Sequence, residues 1–399
     1  MIIELNPTDV AHGGYCVARH DNIVVFVTGA LPGEVVRAEV TRRRSKLWYA
    51  RVVEVLQASP DRIEHVWPLA EATGIGGADL GHVSLEAGRR WKARVIENQM
   101  LRMAHMDVDV EVEQAPGDDE RAGLAWRTRV TVQVDRSGTL GMYAAKSHDI
   151  VAVDSMPLAH EEIQEAIARD LNQGLRGPGT RLYVRSSGSG LTTYDRLTQD
   201  RDRRTGSSSH AGTVKEIVRT AYGDFSYEVA ADGFWQVHRE APRVLVEAVL
   251  DAVGECEGPV FDLYAGAGLF SVPLAQGVSE SVTAVEGSPS AVTHLRFNTA
   301  GLNVECYEGD VAEVLSELTP VGHGTIVCDP PRSGAGGPAV KHMARMDVDT
   351  IVYVACDPAA LARDVADFAA RGYTLASIRA FDLFPMTHHT ETLAVLVKD

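Results

Sequence analysis

The stretch VFDLYAGAG at residues 260–268 decides the fold of the C-terminal part of this chain. Its apolar first half predicts a buried strand, and Gly266 and Gly268 predict a tight turn that leads into a helix. Glycine in such a turn lets the backbone approach a ligand closely. A lone Gly-x-Gly is a weak signal that also fits dinucleotide-binding folds, so the elements around it decide its meaning.

Further strands and helices follow this turn in alternation. Apolar runs predict strands at 282–286, 325–329, 350–354 and 393–397, and helices are predicted at 290–299 and 358–370. Alternation of this kind is typical of βαβ units and a mainly parallel sheet, whose ligands bind at the carboxyl ends of the strands. We therefore expect an α/β domain over residues 234–399.

Two carboxylates lie at predicted strand ends close to the glycine turn. Glu286 ends the second strand, where its carboxylate can accept the hydroxyl protons of a ribose, although an exposed strand end would also explain it. Asp310, in Glu308-Gly309-Asp310, follows one more strand, expected between the helix at 290–299 and the strand at 325–329, and is placed to flank an adenine. With the glycine turn, these residues predict a cofactor that contains adenosine.

Three more motifs belong to the same predicted edge. Asp329-Pro330-Pro331-Arg332 follows a strand, and its prolines fix a rigid loop. Cys356 follows another strand and precedes a helix N-terminus, whose dipole favours a thiolate, although cysteine is most often an ordinary small apolar residue. His388-His389-Thr390-Glu391-Thr392 comes directly before the last strand.

The N-terminal part of the chain predicts two further domains. Residues 1–57 contain strands at 23–27, 34–40 and 49–55 with glycine-rich turns between them, which favours a small closed barrel. Residues 58–233 mix strands and turns with one helix, from Ser84 to about Met106, that we expect to pack on the C-terminal domain. The polar, serine-rich residues 200–210 predict a mobile loop.

Composition narrows the class of protein. Hydrophobic residues make up 45% and charged residues 23% of the 399, as in folded globular proteins. No apolar run approaches the roughly 18 residues that cross a bilayer, and the N-terminus has no signal-peptide pattern. The five cysteines offer no CxxC metal clamp and suit a reducing compartment. We expect a cytoplasmic protein with no membrane partner and no bound metal.

Charge is distributed unevenly along the chain. The net charge is −17, and residues 255–399 carry 8 basic against 19 acidic side chains. Phosphate contacts need local positive charge, and this is available in three basic clusters of the first two thirds, at 42–46, 89–94 and 201–204. Each cluster taken alone is equally well explained as solvated surface.

The order of these motifs, with Phe234-Trp235-Gln236-Val237 before them, resembles the S-adenosylmethionine (SAM)-dependent RNA 5-methyluridine methyltransferases over essentially the whole chain. The first 57 residues resemble the TRAM domain of many members. The resemblance implies a class I, Rossmann-like methyltransferase domain at the C-terminus. It also implies an N-terminal OB-like β-barrel that binds RNA and a mixed α+β domain between the two.

The resemblance also implies a role for each matching residue. The expected SAM-binding residues are Gln236, Tyr264, Gly266, Gly268, Glu286, Asp310 and Asp329. Cys356 would be the nucleophile that adds to C6 of uracil, and Glu391 the base that removes the proton from C5. The target base must leave its stack to reach such a site.

The sequence departs from the family in three places. Many members with a TRAM domain hold an iron–sulfur cluster through four cysteines, which correspond here to Trp67, Ile75, Ala78 and Met156. A cluster needs thiolates, so none is expected. Asp357 stands where asparagine is usual and should raise the pKa of the neighbouring thiol, and Thr390 replaces the usual valine.

The leading hypothesis is a uracil-C5 methyltransferase that acts as a monomer on 23S ribosomal RNA, because of the barrel. A tRNA T-loop uridine is the second choice. RNA cytosine-C5 methyltransferases carry a cysteine where this chain has Arg332, and Cys328 is expected in the core. A nicotinamide oxidoreductase would not explain Cys356 and Glu391 at one edge. Because the cluster ligands are absent, a catalytically degenerate RNA-binding protein is a further alternative. The retained motif residues argue against it.

Overall fold

A computed structural model describes residues 1–144, 149–171, 180–197, 212–256, 258–277 and 281–399. The predicted mobile loop at 200–210 lies outside these residues. Among the described residues, no helix has the length and apolar character needed to cross a membrane.

The N-terminal region is one six-stranded sheet. Its strands are β1 (Ile2–Leu5), β2 (Asp9–Ala11), β3 (Tyr15–His20), β4 (Ile23–Thr28), β5 (Val35–Arg43) and β6 (Leu47–Gln57). They pair in the order β1-β5-β6-β4-β3-β2. Alternate residues such as Cys16, Val25 and Val36 point into a shared core. Strand β1 also contacts β3, four places away in this order, so the sheet curls into a barrel-like shape.

A short helix α1 (Pro68–Thr73) and a longer helix α2 (Leu85–Gln99) follow the barrel. Ser84 caps α2 as predicted, because its hydroxyl accepts the N–H of Ala87. The helix continues as one π-turn, Met100–Ala104, before the backbone reverses at His105. Trp91 and Val95 of α2 pack in the barrel core, whereas Ile96 and Met100 pack against the C-terminal sheet. Helix α2 therefore joins the two regions.

The middle of the chain forms a second sheet and a hairpin. After β7 (Val112–Gln114) come β8 (Arg129–Val134), β9 (Leu140–Tyr143), β10 (Ile150–Ala152), α3 (Glu161–Leu171), β11 (Thr180–Ser187) and β12 (Gly190–Leu197). The antiparallel sheet has the order β10-β9-β8-β11-β12. A separate hairpin of β13 (Thr213–Thr220) and β14 (Gly223–Ala230) packs against the C-terminal core.

The C-terminal region contains the predicted α/β sheet. Its elements are α4 (Ala241–Val253), β15 (Val260–Leu263), α5 (Ser271–Gly277), β16 (Val282–Glu286), α6 (Pro289–Asn298), β17 (Val304–Glu308), α7 (Val311–Glu317), β18 (Thr325–Cys328), α8 (Gly336–Arg345), β19 (Thr350–Ala355), α9 (Pro358–Ala369), β20 (Tyr373–Asp382) and β21 (Glu391–Lys398). The strand order is β17-β16-β15-β18-β19-β21-β20-β7. The strands β15–β19 are parallel, and β21 runs antiparallel to β19 and β20.

The structure differs from the sequence-based expectation in where the sheet ends. Its eighth strand is β7, at residues 112–114, which pairs in parallel with β20. The boundary expected at residue 234 therefore does not separate the strands of this sheet from the middle region. Three residues with mixed polarity are too short a segment for periodicity to reveal.

The four positions that would hold an iron–sulfur cluster are filled by packing. Trp67, Ile75, Ala78 and Met156 are between 2 and 5% exposed and belong to one apolar core of the middle region. Their side chains carry no thiolate. Apolar contacts therefore fill the four positions at which the resemblance implies cluster ligands in many members.

The basic cluster at 89–94 is used for internal ion pairs. Arg89 pairs with Asp119 and Arg90 with Asp61 and Glu86, while Arg94 lies near Asp9 and Glu97. Lys92 is 2% exposed, pairs with Asp382 on β20 and donates to the carbonyl of Phe384 at 3.0 Å. The suggestion that this cluster is open to phosphates is wrong for Lys92, because its ammonium group is inside the protein.

We predict that Lys92→Met lowers the free energy of unfolding by about 3–5 kcal/mol, since it leaves the Asp382 carboxylate buried without its partner. The matched control is Arg90→Met, whose side chain is 53% exposed and should matter by about 1 kcal/mol at most. Urea denaturation of both variants measures the difference. If both variants lost the same free energy of unfolding, the buried Lys92–Asp382 pair would not stabilise the packing of α2 on the sheet.

Candidate active site

A cavity of about 1450 Å³ opens at the carboxyl edge of the C-terminal sheet. The opposite wall comes from the middle sheet, through residues such as Val130, Tyr183 and Arg185. Eight of the nine predicted site residues line this cavity, namely Gln236, Tyr264, Gly266, Glu286, Asp310, Asp329, Cys356 and Glu391. The structure thus brings together residues from the carboxyl ends of five parallel strands, from the start of β21 and from the segment before α4.

The pairing of β19 with β21 places Cys356 beside Glu391. Ala355 lies opposite Thr392 in the antiparallel register, and the Thr392 hydroxyl donates to the Ala355 carbonyl at 2.8 Å. One step further along the two strands brings Cys356 and Glu391 level with each other. Glu391 is the first residue of β21, whereas the sequence suggested that the strand begins after it.

Parallel pairing aligns the neighbouring strand ends with this pair. Leu263 of β15 lies opposite Cys328 of β18, which lies opposite Tyr353 of β19. The N–H of Asp329 donates to the Leu263 carbonyl at 3.2 Å, so the Asp329 loop leaves the sheet next to the glycine turn. The side chains of Tyr264 and Asp329 consequently reach the same cavity as Cys356.

The glycine turn is locked to Glu286. One carboxylate oxygen of Glu286 accepts the N–H of Gly266 at 2.8 Å, and the other accepts the N–H of Ser288 at 2.6 Å. The turn also holds Tyr264 at a φ of +64°, which is unusual for a residue with a side chain. Each oxygen of the Glu286 carboxylate still has a free lone pair after accepting one N–H. Glu286 lines the cavity, so a diol bound there could donate its hydroxyl protons to these lone pairs.

Gly268 is the predicted site residue that does not line the cavity. Its φ is +95°, and a Cβ there would lie 3.0 Å from the side chain of Leu295 on α6. Glycine is needed at this position for the turn and for the close approach of the helix. Its contribution to the site is therefore to shape the turn, not to touch a ligand.

Asp310 and Asp357 cap the helices that follow their strands. The Asp310 carboxylate accepts the N–H groups of Ala312 and Glu313 at the start of α7. Asp357 accepts those of Ala359 and Ala360 at the start of α9, at 3.0 and 2.9 Å. Both carboxylates offset the unpaired N–H groups of a helix N-terminus.

Buried carboxyl groups make the cavity strongly acidic. Burial, with a smaller contribution from the charge of Glu286, raises the pKa of Asp262 to about 7. Burial, together with the charge of Asp262, raises the pKa of Asp329 to about 7 as well. One oxygen of Asp262 accepts a hydrogen bond from Ser271, and the other has no partner. Burial, together with the charge of Asp329, also raises the pKa of Glu391 well above its ordinary value. A ligand with a positive charge would stabilise the ionised forms.

The thiol of Cys356 is exposed to the electrostatic potential of the same carboxyl groups. Burial, followed by the charges of Glu391 and Asp329, raises its pKa to about 12, and the Arg332 guanidinium acts in the opposite direction. Arg332 also lies 3.4 Å from the His389 ring nitrogen. The predicted favouring of the thiolate by the helix dipole is therefore outweighed by burial and by the neighbouring acids.

Several cavity residues were not predicted from the sequence. Arg127 and Arg129 line the cavity from the start of the middle sheet, and Phe234 is 72% exposed at its rim. Arg332 belongs to the proline motif, but the sequence pattern indicates no catalytic or binding role for its side chain. The sequence held a signal for Arg127 and Arg129. They are two positions apart at the start of an alternating stretch, so their side chains are expected on the same face of the strand.

Comparisons with known proteins identify the family of this chain. A family model described as tRNA (uracil-5-)-methyltransferase matches residues 201–308 and 315–399. An RNA methyltransferase of Bifidobacterium longum is 38% identical over 97% of this chain and 95% of its own. Another, from Streptomyces avermitilis, is 36% identical over 99% of this chain and 97% of its own.

The chain belongs to the tRNA (uracil-5-)-methyltransferase family. The predicted family and enzyme class, a SAM-dependent RNA (uracil-C5-)-methyltransferase, are thereby confirmed, and its substrate is RNA. The fold class is confirmed as well. The crystal structure of the Pyrococcus abyssi tRNA (uracil-54, C5)-methyltransferase in complex with S-adenosyl-L-homocysteine is 21% identical, with a TM-score of 0.72 over 99% of this chain and 100% of that one.

The cavity fits the cofactor of this enzyme class. SAM carries a ribose diol, for which Glu286 offers acceptor atoms, and a positively charged sulfonium, for which the buried Asp329 offers a counter-charge. The residues that would hold it are those lining the cavity around the glycine turn. When bound, SAM supplies an electrophilic methyl group.

We predict that the affinity for SAM rises by about tenfold between pH 6 and pH 8, as the carboxyls of raised pKa ionise and attract the sulfonium. S-adenosylhomocysteine has a neutral thioether in the same place, so its affinity should change much less. Calorimetric titration with both ligands over this range isolates the sulfonium charge. Identical pH dependence for the two would contradict the assignment of Asp329 to the sulfonium.

Proposed function

We propose that this enzyme transfers a methyl group from SAM to C5 of a uridine in 23S ribosomal RNA, with Cys356 as nucleophile and Glu391 as base. The observation that carries the proposal is the register of β19 and β21, which sets these two side chains side by side in the acidic cavity. The proposed cofactor-binding residues are Gln236, Tyr264, Gly266, Glu286, Asp310 and Asp329, with Gly268 shaping the turn.

The chemistry explains why a thiol and a carboxylate are needed together. C5 of uracil is a poor nucleophile. When the Cys356 thiolate forms a bond to C6, the C5–C6 π electrons move into the ring carbonyl, and C5 becomes an enolate carbon. This carbon can attack the methyl group of SAM, whose bond to sulfur would break with its electrons staying on sulfur, so that S-adenosylhomocysteine leaves as a neutral thioether. Glu391 then takes the proton from C5, the S–C6 bond breaks with its electrons returning to sulfur, and the double bond is restored.

The electrostatics of the cavity suit both roles. Burial raises the pKa of Glu391, which makes its carboxylate a stronger base towards a carbon-bound proton. The thiol of Cys356 needs its pKa lowered before it can attack, and Arg332 is the neighbouring cation that acts in this direction. We therefore assign Arg332 to stabilisation of the thiolate.

Cys328 does not fit the role of nucleophile. It is 0% exposed, and burial holds the pKa of its thiol well above the ordinary value. It does not line the cavity. These facts argue against the alternative of a cytosine-C5 methyltransferase that would use a cysteine next to the proline loop.

The barrel offers a surface on which RNA bases could stack. Tyr15, Phe26 and Tyr49 lie on its outer face with ring centroids 5.7–5.8 Å apart. The Arg42 guanidinium is 5.9 Å from the Tyr49 ring. Aromatic faces beside a cation bind unpaired bases and their phosphates with little dependence on sequence. This supports the barrel as a grip for RNA while the cavity takes the flipped base.

We predict that Cys356→Ala lowers the rate of methyl transfer by about a thousandfold or more. RNA that contains 5-fluorouridine should form an adduct with the unaltered enzyme and SAM that survives denaturing electrophoresis, because fluorine at C5 cannot leave as a proton. Cys328→Ala is the matched control and should keep both activity and adduct. An adduct that persists in Cys356→Ala would overturn the nucleophile assignment.

The target RNA is tested with total RNA from a strain that lacks this enzyme. After incubation with methyl-labelled SAM, rRNA and tRNA are separated and digested to nucleosides. We expect labelled 5-methyluridine in 23S rRNA. Label in tRNA alone would move the substrate to the second candidate, a T-loop uridine, which the name of the matching family model favours. Absence of label, with SAM still bound, would favour a catalytically degenerate RNA-binding protein.

A further inference from the structure

The turn between β2 and β3 of the barrel touches the catalytic motifs directly. His12 lies in this turn, and its Nε2 is 3.2 Å from one carboxylate oxygen of Asp357, the residue after Cys356. The other oxygen of Asp357 caps helix α9. One side chain thus connects the barrel to the helix that begins behind the nucleophile.

The turn is fixed in this position by close packing. Gly14 has a φ of +76°, and a Cβ there would lie 2.9 Å from the carboxylate of Asp79 and 3.4 Å from His388. Asp79 in turn accepts the N–H of His388 at 3.0 Å and bonds to its ring. The His12 and His388 rings meet edge to face at 6.4 Å. The turn therefore contacts the loops of both Cys356 and Glu391.

Asp357 brings a charge to a site that already has an excess of acids. Its carboxylate is one of the groups that raise the pKa of the Cys356 thiol. The ion pair lowers the pKa of Asp357 and raises that of His12, as expected when each partner stabilises the charge of the other. A neutral amide at this place would not need such a partner.

We propose that His12 is a positioning residue for methyl transfer: it orients and neutralises Asp357, so that Cys356 is activated only while the barrel is docked on the catalytic domain. This inference rests on the proposed role of Cys356. It makes the barrel part of the active site as well as a surface for RNA.

The pair should respond to pH through His12. Since its pKa is raised, the contribution of its positive charge is complete below about 6.5 and is lost as the pH rises through the raised value. The other titratable groups around the pair are Cys356 beside it, His388 and His389 before β21, Asp79 before α2, and Arg332 after β18. These groups titrate in both the unaltered enzyme and His12→Ala, so their effect cancels in the ratio of the two kcat values.

The test compares His12→Ala, Asp357→Asn and the double variant in the full-length enzyme with SAM and a uridine-containing RNA. We expect His12→Ala to lower kcat by about tenfold, a typical loss for one charge-assisted hydrogen bond, with KM for SAM unchanged. Asp357→Asn in the His12→Ala background should restore most of the rate, because the amide still caps α9 but carries no charge. His20→Ala, in the same barrel, is the matched control and should keep the kcat of the unaltered enzyme.

Two further readouts separate positioning from a structural role. The rate of Cys356 alkylation by iodoacetamide, followed by peptide mass spectrometry against pH, should show a higher thiol pKa in His12→Ala than in the unaltered enzyme. The ratio of kcat between these two enzymes should fall towards 1 as the pH rises above the pKa of His12. If His12→Ala does not fold, His12→Gln replaces it, since glutamine can donate to Asp357 without a charge.

The inference is overturned if the double variant is as slow as His12→Ala, or if the thiol titrates identically in both enzymes. Cys356→Ala, assayed in parallel, distinguishes this failure from that of the proposed function. An inactive Cys356→Ala with an unimpaired His12→Ala refutes only the role of His12. An active Cys356→Ala refutes the nucleophile assignment and this inference together.

Discussion

The antiparallel pairing of β21 with β19 is the constraint on which the rest of the site depends. The glycine turn, Glu286, Asp329 and Cys356 each lie at the carboxyl end of a parallel strand, so their alignment at one edge is a property of the fold. Glu391 is the first residue of its strand, not the last. It reaches that edge only because β21 runs antiparallel to β19. A one-residue slip would turn Glu391 to the other face of the sheet and away from Cys356.

The remainder of the molecule closes the cavity over this edge. Helix α2 packs Trp91 and Val95 on one face into the barrel core, and on the adjacent face it packs Ile96 against the sheet and pairs Lys92 with Asp382. The middle sheet supplies cations opposite the acidic strand ends. The cavity lining thus combines buried carboxyls at the strand ends with arginines from the middle sheet, charges that suit a cationic cofactor and an anionic substrate.

Much of the site was predictable from the sequence, because a motif that follows a predicted strand indicates both the chemistry of its side chains and their position at the edge of the sheet. The glycine turn, Glu286, Asp329 and Cys356 were placed at one edge of the sheet from the sequence for this reason, and Ser84 was predicted as a helix cap. Lys92 was placed in a surface cluster because a charge pattern does not reveal a partner 290 positions away. The contact of His12 with Asp357 and the eighth strand β7 depend on tertiary packing, which no local pattern encodes.

The central claim, methylation at C5 through proton removal by Glu391, is tested most directly with RNA that carries tritium at C5 of uracil. The account predicts that the purified enzyme releases one tritium into water for each methyl group that it incorporates, and that Glu391→Gln suppresses this release. Incorporation of methyl groups without tritium release would place the methyl group elsewhere and contradict the account. Release that survives in Glu391→Gln would contradict the assigned base.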